Sequence, residues 1–414
     1  MAKLTPSSRF TSLVSLATLF TTAFTQSGWP EPEPFVNNTI VKGVRDPSLI
    51  RRVSDGTYFL FGTNGNGTVH TAPSLRGPWT NHGEGALDVD QVVTAPQVYY
   101  SEEEKKYYMY YCGHTGPPES WWYNANIHIA TSETMDPGTW ETHGQLGIPY
   151  NNKNVTEESV GYNILDPSLL VVNKTVDSTA DALTDGLVRR EGTLPQGTQY
   201  YLSFGSYESG IFQAVLSDPM TLQHSDTNSS STEYTINHLE WNSTANHATE
   251  GSFQYAWPTD GSAASRYYLF FSSGQCCDFA HKPAHDSGDA YKIMVCRSDS
   301  PEGPYVDRDG KDCRTENGGT ILMGSHGSVF APGGQGVLYD EDLQSTVIYY
   351  HYLPSDPKAQ HLTPWMAVND DGAYFGWNRM DWDVEGWPSI VTSDTATTFP
   401  LTDGVGRRAR HVEW

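Results

Sequence analysis

The chain has 414 residues, of which 37% are hydrophobic and 12% aromatic, with 24 Tyr against 15 Phe, and with 38 Gly and 25 Pro. That mixture suits many short strands joined by turns and excludes an architecture of long helices. A formal net charge of -24 sets an acidic surface against nucleic-acid phosphates and excludes nucleic acid as a partner.

In chain order, the first expected element is a secretory signal over residues 1–26, with the mature domain over 27–414. Lys3 and Arg9 supply its positive region, residues 13–24 are apolar with small residues interspersed, and cleavage falls near 22–27. The apolar core is too short to span a bilayer, and no later segment comes close. The expectation is an exported, extracellular monomer with no membrane anchor. Six N-x-S/T sequons, at Asn37, Asn66, Asn154, Asn173, Asn228 and Asn242, fit that route.

Five pairs of strands then follow. RDPSLI (45–50) precedes TYFLFGT (57–63), and TAPQVYY (94–100) precedes KYYMYYC (106–112). LDPSLL (165–170) precedes QYYLSFGS (199–206), and EGSFQYAW (250–257) precedes RYYLFFSSG (266–274). HGSVFAPG (326–333) precedes TVIYYHY (346–352). β-Branched and aromatic content marks strands, and Gly, Asp or Ser clusters between members mark hairpins. Further strands follow, such as NIHIATS after the second pair and YKIMVCRS after the fourth. The unit starts near Asp46, Ala95, Asp166, Glu250 and His326, at steps of roughly 50 to 85 residues, enough for one four-stranded sheet plus loops. The fold expected is all-β, a single-domain five-bladed β-propeller; a β-sandwich seldom repeats one hairpin five times. The polar inserts at 176–197 and 225–246 read as surface loops.

The five cysteines leave one thiol over. Cys296 and Cys313 flank a turn-rich loop and suit a disulfide. Adjacent Cys276 and Cys277 do not suggest an ordinary bridge, and no zinc spacing is present.

The first strand of each propeller blade lines the axis, so equivalent positions converge. Here they hold Asp46, Pro96 or Gln97, Asp166, Glu250 and His326. Acids buried together raise each other's pKa and mark a site. Two carboxyl groups flanking a sugar ring can hydrolyse a glycosidic bond, one deprotonating water and the other protonating the leaving oxygen; a third keeps the acid protonated by repulsion. A wide channel with room for the water favours inversion. Asn163 and Ser206 flank the third motif and are candidates to bind sugar hydroxyls. Trp121 and Trp122, with Tyr123, are candidates to stack on a sugar face.

These motifs carry a resemblance. VRDPSLI with TYFLFGTNG, YNILDPSLL with YYLSFGSYESGI, TEGSF with YYLFFSSGQCC, GSHGSVF and FGWNRMDWDVEGWP resemble glycoside hydrolase family 43, specifically the endo-1,5-α-L-arabinanases. The likeness runs over about 39–388. It implies hydrolysis of plant arabinan, a pectin side chain, with Asp46 as general base, Glu250 as general acid and Asp166 as the group that raises the pKa of Glu250. It also implies a bound ion, calcium first, near His326, and no organic cofactor. The chain departs from the family's Trp-Ala-Pro-Asp, with Thr94-Ala95-Pro96-Gln97 in its place, and carries Glu208 where the third blade usually holds Trp. These departures leave the acids untouched and bear on linkage preference and on endo against exo attack. The alternatives are an exo-acting α-L-arabinofuranosidase or β-xylosidase on the same fold, and a non-catalytic carbohydrate-binding propeller.

Overall fold

The computed structural model describes residues 28–63, 65–114, 125–149, 161–174, 197–225, 233–244, 247–258, 266–277, 279, 288–354 and 372–391. The expected signal segment, Trp121, Trp122, Tyr123 and the insert over 176–196 lie outside them. Among the described residues, no helix is long and apolar enough to cross a membrane.

Five antiparallel sheets follow in chain order. The first holds β1 (Arg45–Arg51), β2 (Tyr58–Thr63), β3 (Thr68–Ala72) and β4 (Thr80–Glu84). The second holds β5 (Val93–Ser101), β6 (Lys106–His114), β7 (Ala125–Ser132) and β8 (Glu141–Gln145). The third holds β9 (Ser168–Lys174), β10 (Gly197–Phe204), β11 (Ile211–Asp218) and β12 (Thr221–Leu222). The fourth holds β14 (Thr249–Trp257), β15 (Arg266–Ser273), β16 (Lys292–Ser298) and β17 (Thr320–Met323). The fifth holds β18 (Val329–Asp340), β19 (Ser345–Pro354), β20 (Tyr374–Trp382) and β21 (Pro388–Val391). Each innermost strand touches the innermost strand of the next sheet, and β18 returns to β1, so the ring closes as a five-bladed propeller. One expected loop is corrected: within 225–246, β13 (Ile236–Glu240) pairs with β11 as an extra strand of the third blade.

The second strands read as unbroken apolar runs because both of their faces are covered. β2 is buried at every position, and β6 at all but its ends. The core is therefore not axial. It lies in layers between blades: Phe61, Val69, Val98 and Met109 join blades 1 and 2, while Tyr110, Ile129, Leu202 and Phe212 join blades 2 and 3. Ile211 and Leu239 meet Leu269 and Phe271 between blades 3 and 4, and Phe270, Val295, Ile348 and Met380 join blades 4 and 5. Tyrosine suits such layers, because its ring packs while its hydroxyl reaches a partner at the edge. Tyr58 donates to Asp340 at 2.7 Å, Tyr350 to Asn378 at 2.7 Å, and Tyr110 to the Pro219 carbonyl at 2.6 Å.

Blades 1 and 5 share no strand, so another device closes the ring. The segment over 29–43 lies along the seam. Glu33 N–H donates to Trp377 O at 2.9 Å, Phe375 N–H to Val41 O at 3.0 Å, and Gly43 N–H to Ala373 O at 2.9 Å. Phe35, Val41 and Val44 fill the apolar layer between Leu60 of blade 1 and Val347, Phe375 and Trp377 of blade 5.

Cys296 and Cys313 are joined as expected. Cys276 and Cys277 are joined as well, against expectation. They sit in the turn after β15, where the chain has left the extended conformation that sends neighbouring side chains to opposite faces. Cys112 is the remaining thiol and is buried.

Glu240 is 1% exposed, and among the described residues its Oε2 has no hydrogen-bond partner. Burial pushes its carboxyl up to about 8 from an ordinary 4.5. The native state then holds a proton that the unfolded chain releases, so stability is full below about pH 4.5 and falls as pH rises towards 8. The expected loss from this one group is on the order of 4 kcal/mol. Urea midpoints of Glu240→Gln should therefore fall less between pH 5 and pH 8 than those of the wild type. Parallel curves would show that the carboxyl is hydrated.

Candidate active site

Each inner strand enters the axis through one residue with a left-handed backbone. These are Asp46 (φ 46°), Ala95 (φ 45°), Asp166 (φ 56°), Gly251 (φ 60°) and Gly334 (φ 57°). In blades 1, 2, 4 and 5 the pairing register shifts across this point, as a bulge requires. Aspartate and glycine tolerate this region better than most residues, which explains why DPS recurs: the proline that follows has no N–H to waste, and the bulge swings the aspartate inward.

All five turns line one axial pocket. Blade 1 contributes Asp46 and Pro47, blade 2 Ala95, Pro96 and Gln97, and blade 3 Asp166, Pro167 and Ser168. Blade 4 contributes Gly251, Ser252 and Phe253, and blade 5 Gly334, Gln335 and Tyr349. Glu250 stands one residue before the bulge position that the aspartates occupy. Glu250 is not one of the residues lining the pocket, but its carboxyl is near enough for its charge to act with those of Asp46 and Asp166.

Asp46 Oδ2 accepts the Thr63 hydroxyl at 2.6 Å, and Asp46 Oδ1 lies 3.6 Å from His351 Nδ1. Asp166 Oδ2 accepts Gly251 N–H at 2.9 Å. Glu250 accepts the Ser206 hydroxyl at 2.7 Å and the Tyr291 hydroxyl at 3.0 Å. Burial, then repulsion from Glu250 and Asp46, holds the Asp166 carboxyl well above the ordinary range. Burial first, and then Asp46, raises Glu250 against the opposing pull of its Ser206 and Tyr291 hydrogen bonds. The two acids titrate as a pair, and the pair keeps a proton into a range where an exposed carboxyl has lost it.

The other sequence candidates fall differently. Ser206 is buried, and its hydroxyl is spent on Glu250; Asn163 donates to the Ser206 carbonyl at 2.8 Å. Both brace the acid rather than face the pocket. His326 is corrected as an axial residue: the blade-5 position belongs to Gly334. His326 is 5% exposed beside Trp29, with Nδ1 2.8 Å from Gly324 O and Nε2 2.9 Å from Pro30 O. Each ring nitrogen lies against a backbone carbonyl oxygen, so neither is directed at open space where an ion would sit. Among the described residues, no group of three or more His, Cys, Asp or Glu could hold one. Gln97 lines the pocket, and its Oε1 accepts Leu169 N–H at 3.3 Å across the blade 2–3 seam; Thr94 bonds His114 at 2.9 Å. Glu208 is exposed in the turn after β10.

Thr63, Tyr291 and His351 escaped the sequence reading. A signal was present: TYFLFGT, KYYMYYC, RYYLFFS and TVIYYH each break an apolar run with a polar or sulfur side chain at the same place.

No family model matches the chain. Arabinan endo-1,5-alpha-L-arabinosidase A of Aspergillus niger is 36% identical over 353 residues, 83% of this chain and 90% of that protein. The probable arabinan endo-1,5-alpha-L-arabinosidase C of Aspergillus terreus is 35% identical over 354 residues, 83% and 91% of the two. Among solved structures, the GH43 endo-arabinanase from Bacillus licheniformis superposes with a TM-score of 0.58 at 21% identity, over 88% of this chain and 100% of that one. Cellvibrio cellulosa alpha-L-arabinanase complexed with arabinohexaose gives 0.57 at 19%, over 85% and 96%. An exo-1,5-alpha-L-arabinanase from a bovine ruminal metagenomic library gives 0.59 at 23%, over 84% and 96%. At such identities the structural likeness shows the fold alone.

Replacing Asp166 by Asn removes the carboxyl with which Glu250 titrates as a pair. Carboxyl carbon NMR should then show the Glu250 titration moving down towards the ordinary glutamate range. A titration that stays in place would mean that burial alone raises it.

Proposed function

The chain belongs to the arabinan endo-1,5-α-L-arabinosidase family, and on that footing we propose an inverting glycosidase that cleaves internal α-1,5-linked L-arabinofuranosyl bonds of arabinan. The single observation that carries the mechanism is that Asp46 and Asp166, from blades 1 and 3, line one axial pocket, with Glu250 of blade 4 next to the lining residue Gly251 and near enough for its charge to act with theirs.

Asp46 is the general base. It takes a proton from a water, whose oxygen bonds to the anomeric carbon as the glycosidic bond breaks. Glu250 is the general acid and passes its proton to the departing oxygen, so that neither sugar leaves as an alkoxide. Asp166 serves by charge: while it is ionised, Glu250 gives up its proton less readily. Ser206 and Tyr291 hold Glu250 at a fixed angle, and the buried Tyr291 hydroxyl keeps its own proton, since burial and the nearby carboxylates push its pKa well up.

The endo reading stands over the exo one because the relatives at 34–36% identity are endo-acting by name, whereas the exo-named structure stands at 23%. A non-catalytic propeller is not favoured, since it would have no use for an acid that keeps its proton. Export through a secretory signal belongs to the same reading; it is supported by the Cys296–Cys313 disulfide, which suits an oxidising compartment, and by the exposed sequon at Asn37.

Incubation with linear 1,5-α-arabinan, arabinoxylan and aryl glycosides should give a ladder of oligomers from arabinan. Monosaccharide alone would overturn the endo reading, and no release from any of them would overturn the enzyme. Proton NMR of the first products should show the inverted anomer. Asp46→Asn and Glu250→Gln should each lower kcat by roughly 10²–10⁴-fold.

A further inference from the structure

The five left-handed residues on the axis share a second property. A backbone turned this way aims its amide out of its own sheet, and in every blade the preceding blade receives it. Asp46 N–H donates to His351 Nδ1 at 3.1 Å, Ala95 N–H to Thr63 Oγ1 at 2.9 Å, and Asp166 N–H to Cys112 Sγ at 3.2 Å. Gly251 N–H donates to Asp166 Oδ2 at 2.9 Å, and Gly334 N–H to Ser272 Oγ at 3.0 Å. Four of the acceptors hold one equivalent place on the second strand: Thr63 pairs with Arg45, Cys112 with Thr94, Ser272 with Glu250, and His351 with Gly333. The fifth place is Gly205, which bonds Leu165 O and has no side chain to offer. There Asp166 itself receives the amide.

Of these acceptors, Thr63 is the one that also donates to a carboxylate on the axis. Its oxygen already accepts Ala95 N–H, so its single proton is directed to Asp46 Oδ2 at 2.6 Å. Thr63 is 7% exposed. A hydroxyl oriented in this way donates to the acid, and a donor favours the anionic form of its partner.

We propose that Thr63 is the positioning residue of the base, a hydroxyl that ties the Asp46 carboxylate to the blade-2 amide so that it stays aimed at the axis. The proposal rests on Asp46 being the general base. It also gives the acid-free second blade a part in the chemistry, because the Ala95 amide orients the hydroxyl that orients the base. The groups facing Asp46 are His351 from blade 5, Asp166 and Glu250 across the pocket, Tyr291, and the buried Cys112 thiol.

The test is a pH–rate series on linear arabinan with wild type, Thr63→Val and Thr63→Ser, with urea midpoints for each. Valine keeps the shape and removes the hydroxyl; serine keeps the hydroxyl. Thr63→Val should lower kcat by about 10-fold or more, with KM within about 2-fold, and should move the acidic limb of kcat to higher pH. Thr63→Ser should restore the limb and bring kcat to within about 3-fold of wild type. If valine at this place prevents folding, Thr63→Ala carries the same comparison. A uniform loss of rate at every pH with the limb unmoved would reduce Thr63 to a structural cap and overturn the proposal, as would a serine variant no better than valine. Inactivity of the wild type would instead remove the hydrolase reading itself.

Discussion

Repulsion among carboxyl groups gathered on the propeller axis is the feature to which the rest of this molecule answers. Asp46 and Asp166 line one axial pocket and Glu250 stands beside it, partly shielded from water, where like charges interact more strongly than on a surface. Each acid is met by donors: the Thr63 hydroxyl at Asp46, the Gly251 amide at Asp166, and the Ser206 and Tyr291 hydroxyls at Glu250. Those donors come from several blades. The site therefore exists only when the ring is closed, and the closing segment along blades 5 and 1 serves the chemistry from a distance.

The propeller meets this demand because its core lies elsewhere. Burial between blades supplies the cohesion, through aromatic layers that run radially. The axis is left free for polar side chains and for backbone whose amides turn inward. Left-handed residues are costly in ordinary strands, yet here one stands at the same point in every blade, and its amide is capped by the neighbour. The caps are chemically diverse, an imidazole, two hydroxyls, a thiol and a carboxylate, because the requirement is only for a lone pair at that point. Where Gly205 supplies none, Asp166 takes the role, which also holds it next to Glu250. Gly205 is itself demanded by packing: a Cβ there would lie 2.2 Å from Gly210 O.

Much of this was legible beforehand. Strand pairs with a shared aromatic pattern recur five times, and a period of this kind is read directly from the chain. The two DPS motifs marked Asp46 and Asp166, and the opening of the fourth unit marked Glu250. Blade 5 misled, because its inner strand carries two register shifts, at 330/333 and 333/336. Counting from GSHGSVF therefore placed His326 on the axis, whereas the chain puts Gly334 there and His326 beneath Trp29. Ser206 and Asn163 read as candidates to bind sugar hydroxyls, but their direction is not legible in sequence: a hydroxyl next to a motif gives no sign of whether it faces a sugar or an acid.

The repeat, the strand order, the three acids and the Cys296–Cys313 pair are written in the order of residues, since each is a matter of local pattern and spacing along one chain. The meetings between separate strands and blades are not: Thr63 with Asp46, Gly251 with Asp166, Tyr291 with Glu250, and His326 with the Pro30 carbonyl arise from folding alone. Those contacts join residues 17, 85, 41 and 296 positions apart. They depend on how far each bulge rotates the strand into the axis, a quantity set by the packing of neighbouring blades and not by the residues that form the bulge.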